Sequence, residues 1–169
     1  MSRLDSAIRR LEAQRACLGF AAAAIRDLPG PVVELGLGNG RTYDHLRDLL
    51  PGREIFAFDR QVAAHPDCVP DAAHMILGDF ADTVPGAAAR LGARAALIHA
   101  DIGSGDKAAT KALAAYLAPM LAALTAPGGF LVTDQPMAAP GLVALDPPDG
   151  VAPGRYFIYR RAKENGGTA

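Results

Sequence analysis

The chain has 169 residues, 50% hydrophobic and 21% charged, with 17 Lys and Arg against 18 Asp and Glu for a formal net charge of -1. That length suits one domain with a buried core, and the apolar fraction excludes a disordered chain. The near-neutral charge removes the blanket attraction on which non-specific nucleic-acid binding depends, so no nucleic-acid partner is expected.

Along the chain, residues 2–28 read as one helix. Leu4, Ile8, Leu11, Leu18 and Ile25 recur near the helical period with Arg and Glu between them. The longest apolar run, Ala16 to Ile25, is ten residues. A bilayer span takes about 20, so no membrane partner is expected. Arg9-Arg10 is followed at once by Glu12, Gln14 and Arg15, where an export signal requires an apolar region. Leu28-Pro-Gly-Pro31 stops the helix.

Strand and helix then alternate. Val32–Leu35, Glu54–Phe58, His74–Leu77, Arg94–Ala100 and Phe130–Thr133 are β-rich runs. Between them, Thr42–Leu50, Pro85–Leu91 and Lys107–Thr125 carry helical patterns. This alternation predicts an α/β doubly wound, Rossmann-like fold with a mainly parallel sheet and helices on both faces. Leu142–Leu145 and Arg155–Arg160 flank Asp146-Pro-Pro-Asp-Gly150 with no helix between, which predicts an antiparallel edge pair and about seven strands in all. One unit over residues 1–169 is expected: the helix at 1–28, a ligand-binding core at 29–161 and a loose tail at 162–169.

The most informative segment is Glu34-Leu-Gly-Leu-Gly-Asn-Gly-Arg41, where the first strand must turn into a helix. Glycines there allow a tight turn and close approach of a ligand to the backbone, and the helix start points its amides at that ligand. A dinucleotide fingerprint places a small residue at the position of Arg41, so the loop departs from the nicotinamide pattern. Glu34 would repel a pyrophosphate and suits a ligand carrying positive charge. Asp59 ends the second strand, where a carboxylate accepts from ribose hydroxyls. Asp79 ends the third and can accept from an exocyclic amine, with Phe80 beside it to pack on a base.

In series, Glu34–Gly40, Phe56-Ala-Phe-Asp59, Gly78-Asp-Phe80, Ala95–Asp101 and Pro127-Gly-Gly129 resemble the ordered motifs of class I S-adenosylmethionine-dependent methyltransferases. The resemblance covers residues 30–161, and the chain is also similar to a small bacterial group of such enzymes whose substrate is unidentified. It implies S-adenosyl-L-methionine as cofactor. Glu34 and the backbone of Gly36, Leu37, Gly38, Asn39 and Gly40 would hold its methionine end, Asp59 its ribose, and Asp79 with Phe80 its adenine. Asp101 would face the amino group or the acceptor, and Thr42 and Arg60 complete the expected cofactor set. The helix usual after the fifth strand is reduced to loop around Pro136–Pro140, and no extra domain caps the site.

Methyl transfer requires alignment first, and a base only where the acceptor loses a proton. The catalytic candidates at that rim are Asp101, Tyr43, His45 and Asp134, with Gln135 beside the last. His99 lies in a strand buried on both faces and reads as a hydrogen-bonded core imidazole, while His65 and His74 have no assigned role. No residues have metal-ligand spacing, so no metal is expected. Cys17 and Cys68 cannot form a disulfide framework, so a cytoplasmic setting is expected. The expected acceptor is a small molecule. The alternatives are an NAD(P)-dependent oxidoreductase, which shares the loop and Asp59 but lacks a Tyr-x-x-x-Lys pair, and a non-catalytic S-adenosylmethionine-binding module. For the first helix, core completion is the default reading and a homodimer contact the next.

Overall fold

The structure is a computed structural model that describes residues 2–163; the expected tail from 164 onward lies outside the described residues. The first helix, α1 (Arg3–Ala24), opens on a capping box in which Ser2 and Asp5 satisfy each other's backbone amides. It stops short of the expected residue 28 because Ile25 to Leu28 form a turn. The Arg53 guanidinium pins that turn, donating to the carbonyls of Leu28 at 2.6 Å and Gly30 at 2.9 Å.

The alternating segments become β1 (Val32–Leu35), α2 (Arg41–Leu49), β2 (Ile55–Asp59) and β3 (Met75–Leu77). The helix expected over 85–91 is instead α3 (Phe80–Thr83), a 3-10 turn at Val84–Gly86 and α4 (Ala87–Leu91). Pro85 explains the break, since it has no amide to continue the helical ladder. Then come β4 (Ala95–Ala100), α5 (Lys107–Leu124), β5 (Thr125–Thr133), β6 (Leu142–Leu145) and β7 (Phe157–Arg161). Helix α5 tolerates Pro119 in its interior, and β5 starts at once at Thr125, earlier than Pro127-Gly-Gly129 suggested, with a register shift against β4 between Ala95 and Leu97.

All seven strands form one sheet in the order β3-β2-β1-β4-β5-β7-β6. Strands β1 to β5 run parallel, and β7 and β6 close the edge antiparallel. The order reverses between β1 and β4, and ligands of open α/β sheets bind beyond the carboxyl ends of the strands at such a switch point. Helices α1 and α2 bury one face, where Cys17, Leu18, Leu46, Leu97 and Val132 share a core. Helices α3 to α5 bury the other around Val33, Phe58, Ile98 and Leu117. Buried on both faces, β1 and β4 are apolar apart from Glu34 and His99.

Helix α1 divides in two. Its second half is core through Cys17, Leu18, Ala21 and Ala22, while Leu4, Ile8 and Leu11 in the first half are 69%, 45% and 43% exposed. Among the described residues no helix is long and apolar enough to cross a membrane.

Candidate functional site

The strands end together. Leu35 of β1 stands in register with Phe58 of β2 and Ala100 of β4, and Ala100 with Thr133 of β5. Backbone bonds extend the ladder one residue further: the amide of Gly36 donates to Phe58 at 2.9 Å, that of Asp101 to Leu35 at 3.0 Å and that of Asp134 to Ala100 at 3.1 Å. Asp59, Gly36, Asp101 and Asp134 therefore occupy one row above the sheet. Gly78 donates to the Asp59 carbonyl at 3.0 Å, which carries the row to the exposed Asp79.

The glycine loop is shaped by contacts as well as by dihedral angles. Gly36 has φ +91°, and a Cβ there would collide with the Asp101 carbonyl. Gly40 has φ +82°, and its Cβ would meet that of Cys68 at 2.5 Å, so α2 can begin only from a glycine. Asp59 fixes the loop from the side: its Oδ2 accepts from the Gly38 amide at 3.0 Å and its Oδ1 from that of Arg60 at 2.6 Å. The Arg60 side chain is mostly exposed and lies 3.7 Å from the Asp79 carboxylate. Phe80 packs partly buried against the core of the opposite face.

Gly36 to Asn39, Arg41, Thr42 and Asp101 line a cavity of about 220 Å³ together with Arg10, Leu11 and Gln14 of α1. This is below the ~300–1,000 Å³ of sites that enclose a drug-sized ligand, so it is sized for one end of an extended molecule whose remainder lies along the rim. The Arg10 guanidinium pairs with Asp101 Oδ2, and Gln14 Nε2 donates to the same oxygen at 2.9 Å. Opposite charges thus face each other where a zwitterion would fit.

Glu34 departs from its expected place. It lies two residues below the rim row, 0% exposed, with both oxygens occupied. The Thr42 hydroxyl donates to Oε1, and His99 Nδ1, on the register-paired residue of β4, lies 2.7 Å from Oε2. The sealed carboxylate supports the cavity wall through Thr42 and does not line the cavity. Likewise Leu37 is 2% exposed and offers the cavity mainly its backbone.

The chain of contacts continues from His99 Nε2 to the Tyr156 hydroxyl at 2.6 Å, and Gln14 Nε2 reaches that hydroxyl at 3.2 Å. A buried polar path therefore joins Thr42 and Glu34 to Gln14 and Asp101. Burial pulls the His99 pKa down, but the adjacent Glu34 carboxylate prevails and the net direction is upward. Burial also holds the Tyr156 phenol far above its ordinary range, so it keeps its proton. His99 is the hydrogen-bonded core imidazole its strand predicted.

Two of the four catalytic candidates sit elsewhere. Tyr43 is buried and lines a separate concavity with Arg47, Asp71 and His74; the Arg47 guanidinium stands 5.2 Å from its ring centre. Burial pushes its phenol pKa up. It follows Thr42 by one residue, about 100° around the helix, and so faces away from the loop. His45 does not line the loop cavity either, and its Nε2 is buried without a hydrogen-bond partner. Asp101 and Asp134 remain. Asp134 Oδ1 accepts from the Ile102 amide at 3.1 Å and Oδ2 from Gln135 Nε2 at 2.9 Å, and burial raises its carboxyl pKa. Sequence reasoning missed Arg10, Gln14 and Tyr156. A signal existed for Gln14, a polar side chain at stripe spacing between Leu11 and Leu18.

Comparison with known proteins places the chain in a family. A crystal structure of an S-adenosyl-L-methionine methyl transferase from Silicibacter pomeroyi DSS-3 is 48% identical, covering 96% of this chain and 99% of that one with a TM-score of 0.90. The MycE methyltransferase of the mycinamycin biosynthetic pathway, solved with Mg and SAH, shares the fold at 14% identity and a TM-score of 0.57, over 96% of this chain and 49% of that one. So does the plantazolicin methyltransferase BpumL with SAH, at 13% identity and a TM-score of 0.53, over 73% of this chain and 47% of that one. No curated protein matches. The family model described as S-adenosyl-L-methionine methyltransferase matches residues 1–161, and the chain belongs to that family.

Proposed function

We propose that this S-adenosyl-L-methionine-dependent methyltransferase acts on a small molecule, and that a single unit spanning residues 1–169 carries both cofactor and acceptor sites. The observation that carries the reading is the row of Asp59, Gly36, Asp101 and Asp134 at the switch point, with Arg10 of α1 closing one side. The residues present fit the cofactor. Its amino-acid end brings one ammonium and one carboxylate, and Asp101 with Arg10 offers one partner for each. Gly36 and Gly40 keep the loop cradle clear of side chains, Asp59 presents acceptor oxygens for the ribose, and Asp79 with Phe80 lies where the adenine belongs. Asn39 and Thr42 flank the cradle; Leu37 contributes backbone, Arg60 sits beside the ribose site, and Glu34 acts through Thr42.

When bound, the cofactor supplies a methyl group already activated on a sulfonium sulfur. The chain's main task is alignment, which is worth ~7–11 kcal/mol in well-oriented systems. Asp134 is the proton acceptor for an acceptor hydroxyl or amine, its basicity increased by burial. Tyr43 and His45 take no part.

The near-neutral charge supports a small acceptor over nucleic acid. The free thiols Cys17 and Cys68 fit a reducing cytoplasm. The exposed stripe of Leu4, Ile8 and Leu11 supports a homodimer through α1, and sedimentation as a clean monomer would remove that reading. The decisive experiment is calorimetry with S-adenosylmethionine and NADH, followed by turnover to S-adenosylhomocysteine against a metabolite panel. Binding of the first cofactor alone, with turnover for one panel member, is expected. Turnover only with RNA or protein would overturn the small-molecule reading.

A further inference from the structure

A second concavity opens on the same rim, on the far side of Asp134. It measures about 680 Å³, within the range of small-molecule sites. Gly103 beyond β4, Gln135 and Pro136 beyond β5, and Lys107, Lys111 and Ala114 from the first turns of α5 bound it.

Its charge is lopsided. Neither Lys107 nor Lys111 has a carboxylate within ion-pair distance among the described residues. The one acid among the lining residues, Asp106, leaves the two lysines in excess and caps α5, its Oδ1 accepting from the amides of Ala108 at 2.9 Å and Ala109 at 3.0 Å. The amino end of an 18-residue helix adds further positive potential. The opposite wall is formed by Gly103 and Gln135, and the Asp134 carboxylate stands directly behind them. Gly103 allows that approach, since a Cβ there would lie 2.7 Å from Asp134 Oδ2, and Gln135 donates to the same oxygen. Asp101 lies just past this wall, in the cofactor cavity. A molecule with one anionic end is drawn to the lysines and repelled by Asp134, so the groove fixes its direction as well as its place.

We propose that this groove binds the methyl acceptor, a small organic carboxylate with an apolar body, its anionic end held by Lys107 and Lys111 and its nucleophilic end turned to the Gly103–Gln135 wall that Asp134 backs. The proposal rests on the methyl-transfer reading for the identity of the occupant.

The test is an NMR titration of the ¹⁵N-labelled chain with 4-hydroxybenzoate and its uncharged analogue 4-hydroxybenzamide. It is repeated on the double variant Lys107→Gln/Lys111→Gln, whose exposed positions leave the spectrum otherwise intact. The carboxylate should shift amides at 103–111 and 135–138 and bind about tenfold or more tighter than the amide. The double variant should lose that preference. No carboxylate binding, shifts confined to other surfaces, or a preference that survives in the double variant would each overturn the proposal. Calorimetry with S-adenosylmethionine separates the two readings. Equal affinity in both chains is expected; no binding to either would defeat the placement of the cofactor while leaving the carboxylate result to be judged on its own.

Discussion

Replacing Glu34 by Gln probes the buried support beneath the cofactor cavity. Both carboxylate oxygens are occupied, by Thr42 and by His99, and the side chain is 0% exposed. The amide keeps one acceptor oxygen and turns an NH₂ toward the other partner. The loss includes one buried charge-assisted bond, ~1.5–3 kcal/mol, and leaves His99 without its counter-charge, a situation that costs ~3–5 kcal/mol when a buried pair is broken. We expect about 3 kcal/mol, which for a chain of this size lowers Tm by roughly 6–12 °C. The pH dependence follows from the raised His99 pKa. The stability this group contributes is fully present below its unfolded pKa of about 6.5 and is lost as pH rises through the raised folded value. The gap between wild type and Glu34→Gln should therefore be widest below about pH 6.5 and narrow as pH rises through the raised folded value. Thermal unfolding followed by circular dichroism at three pH values measures it. A gap that is absent, or that widens as pH rises, would refute the reasoning.

Three further outcomes are expected. Gly36→Ala should abolish cofactor binding and cost about 3 kcal/mol or more, because the new Cβ meets the Asp101 carbonyl; Gly38→Ala, with open space at φ +51°, should cost only about 1–2 kcal/mol. Calorimetry and urea unfolding compare the two. Asp59→Ala should weaken S-adenosylmethionine about 100-fold through loss of charge-assisted bonds, while Tm falls by only a few degrees, since the side chain is only partly buried. In the native protein a thiol reagent should label Cys68 quickly and Cys17 only on unfolding, because Cys17 is 0% exposed and burial pushes its thiol up to about 11. Fast labelling of both would contradict the packing of α1.

Much of this was legible locally. The apolar runs of β1, β2 and β4, the stop at Leu28–Pro31, and the glycine loop are short-range signals, and strand alternation alone implies a parallel sheet with its ligand at the carboxyl edge. What escaped depends on distance in sequence. Arg10 and Gln14 reach Asp101 across 91 and 87 residues, and only the docking of α1 brings them there. Tyr156 reaches His99 across 57 residues, from just before β7 and not from inside the strand expected over Arg155–Arg160. Glu34 was misplaced because a motif gives the order of residues along the chain but not their depth in the sheet. Its pairing with His99 emerges only from the β1–β4 register. Tyr43 and His45 lie away from the loop cavity because helix rotation, set by the packing of Leu46 and Leu50, decides which side chains see the loop.

The methyl donor should lie along the row above the sheet. A crystal structure with S-adenosylhomocysteine tests it most directly. Its amino-acid end should lie between Asp101 and Arg10, its ribose on Asp59 and its adenine beside Asp79. Density for the ligand along Lys107 and Lys111, or on any surface away from the glycine loop, would contradict it.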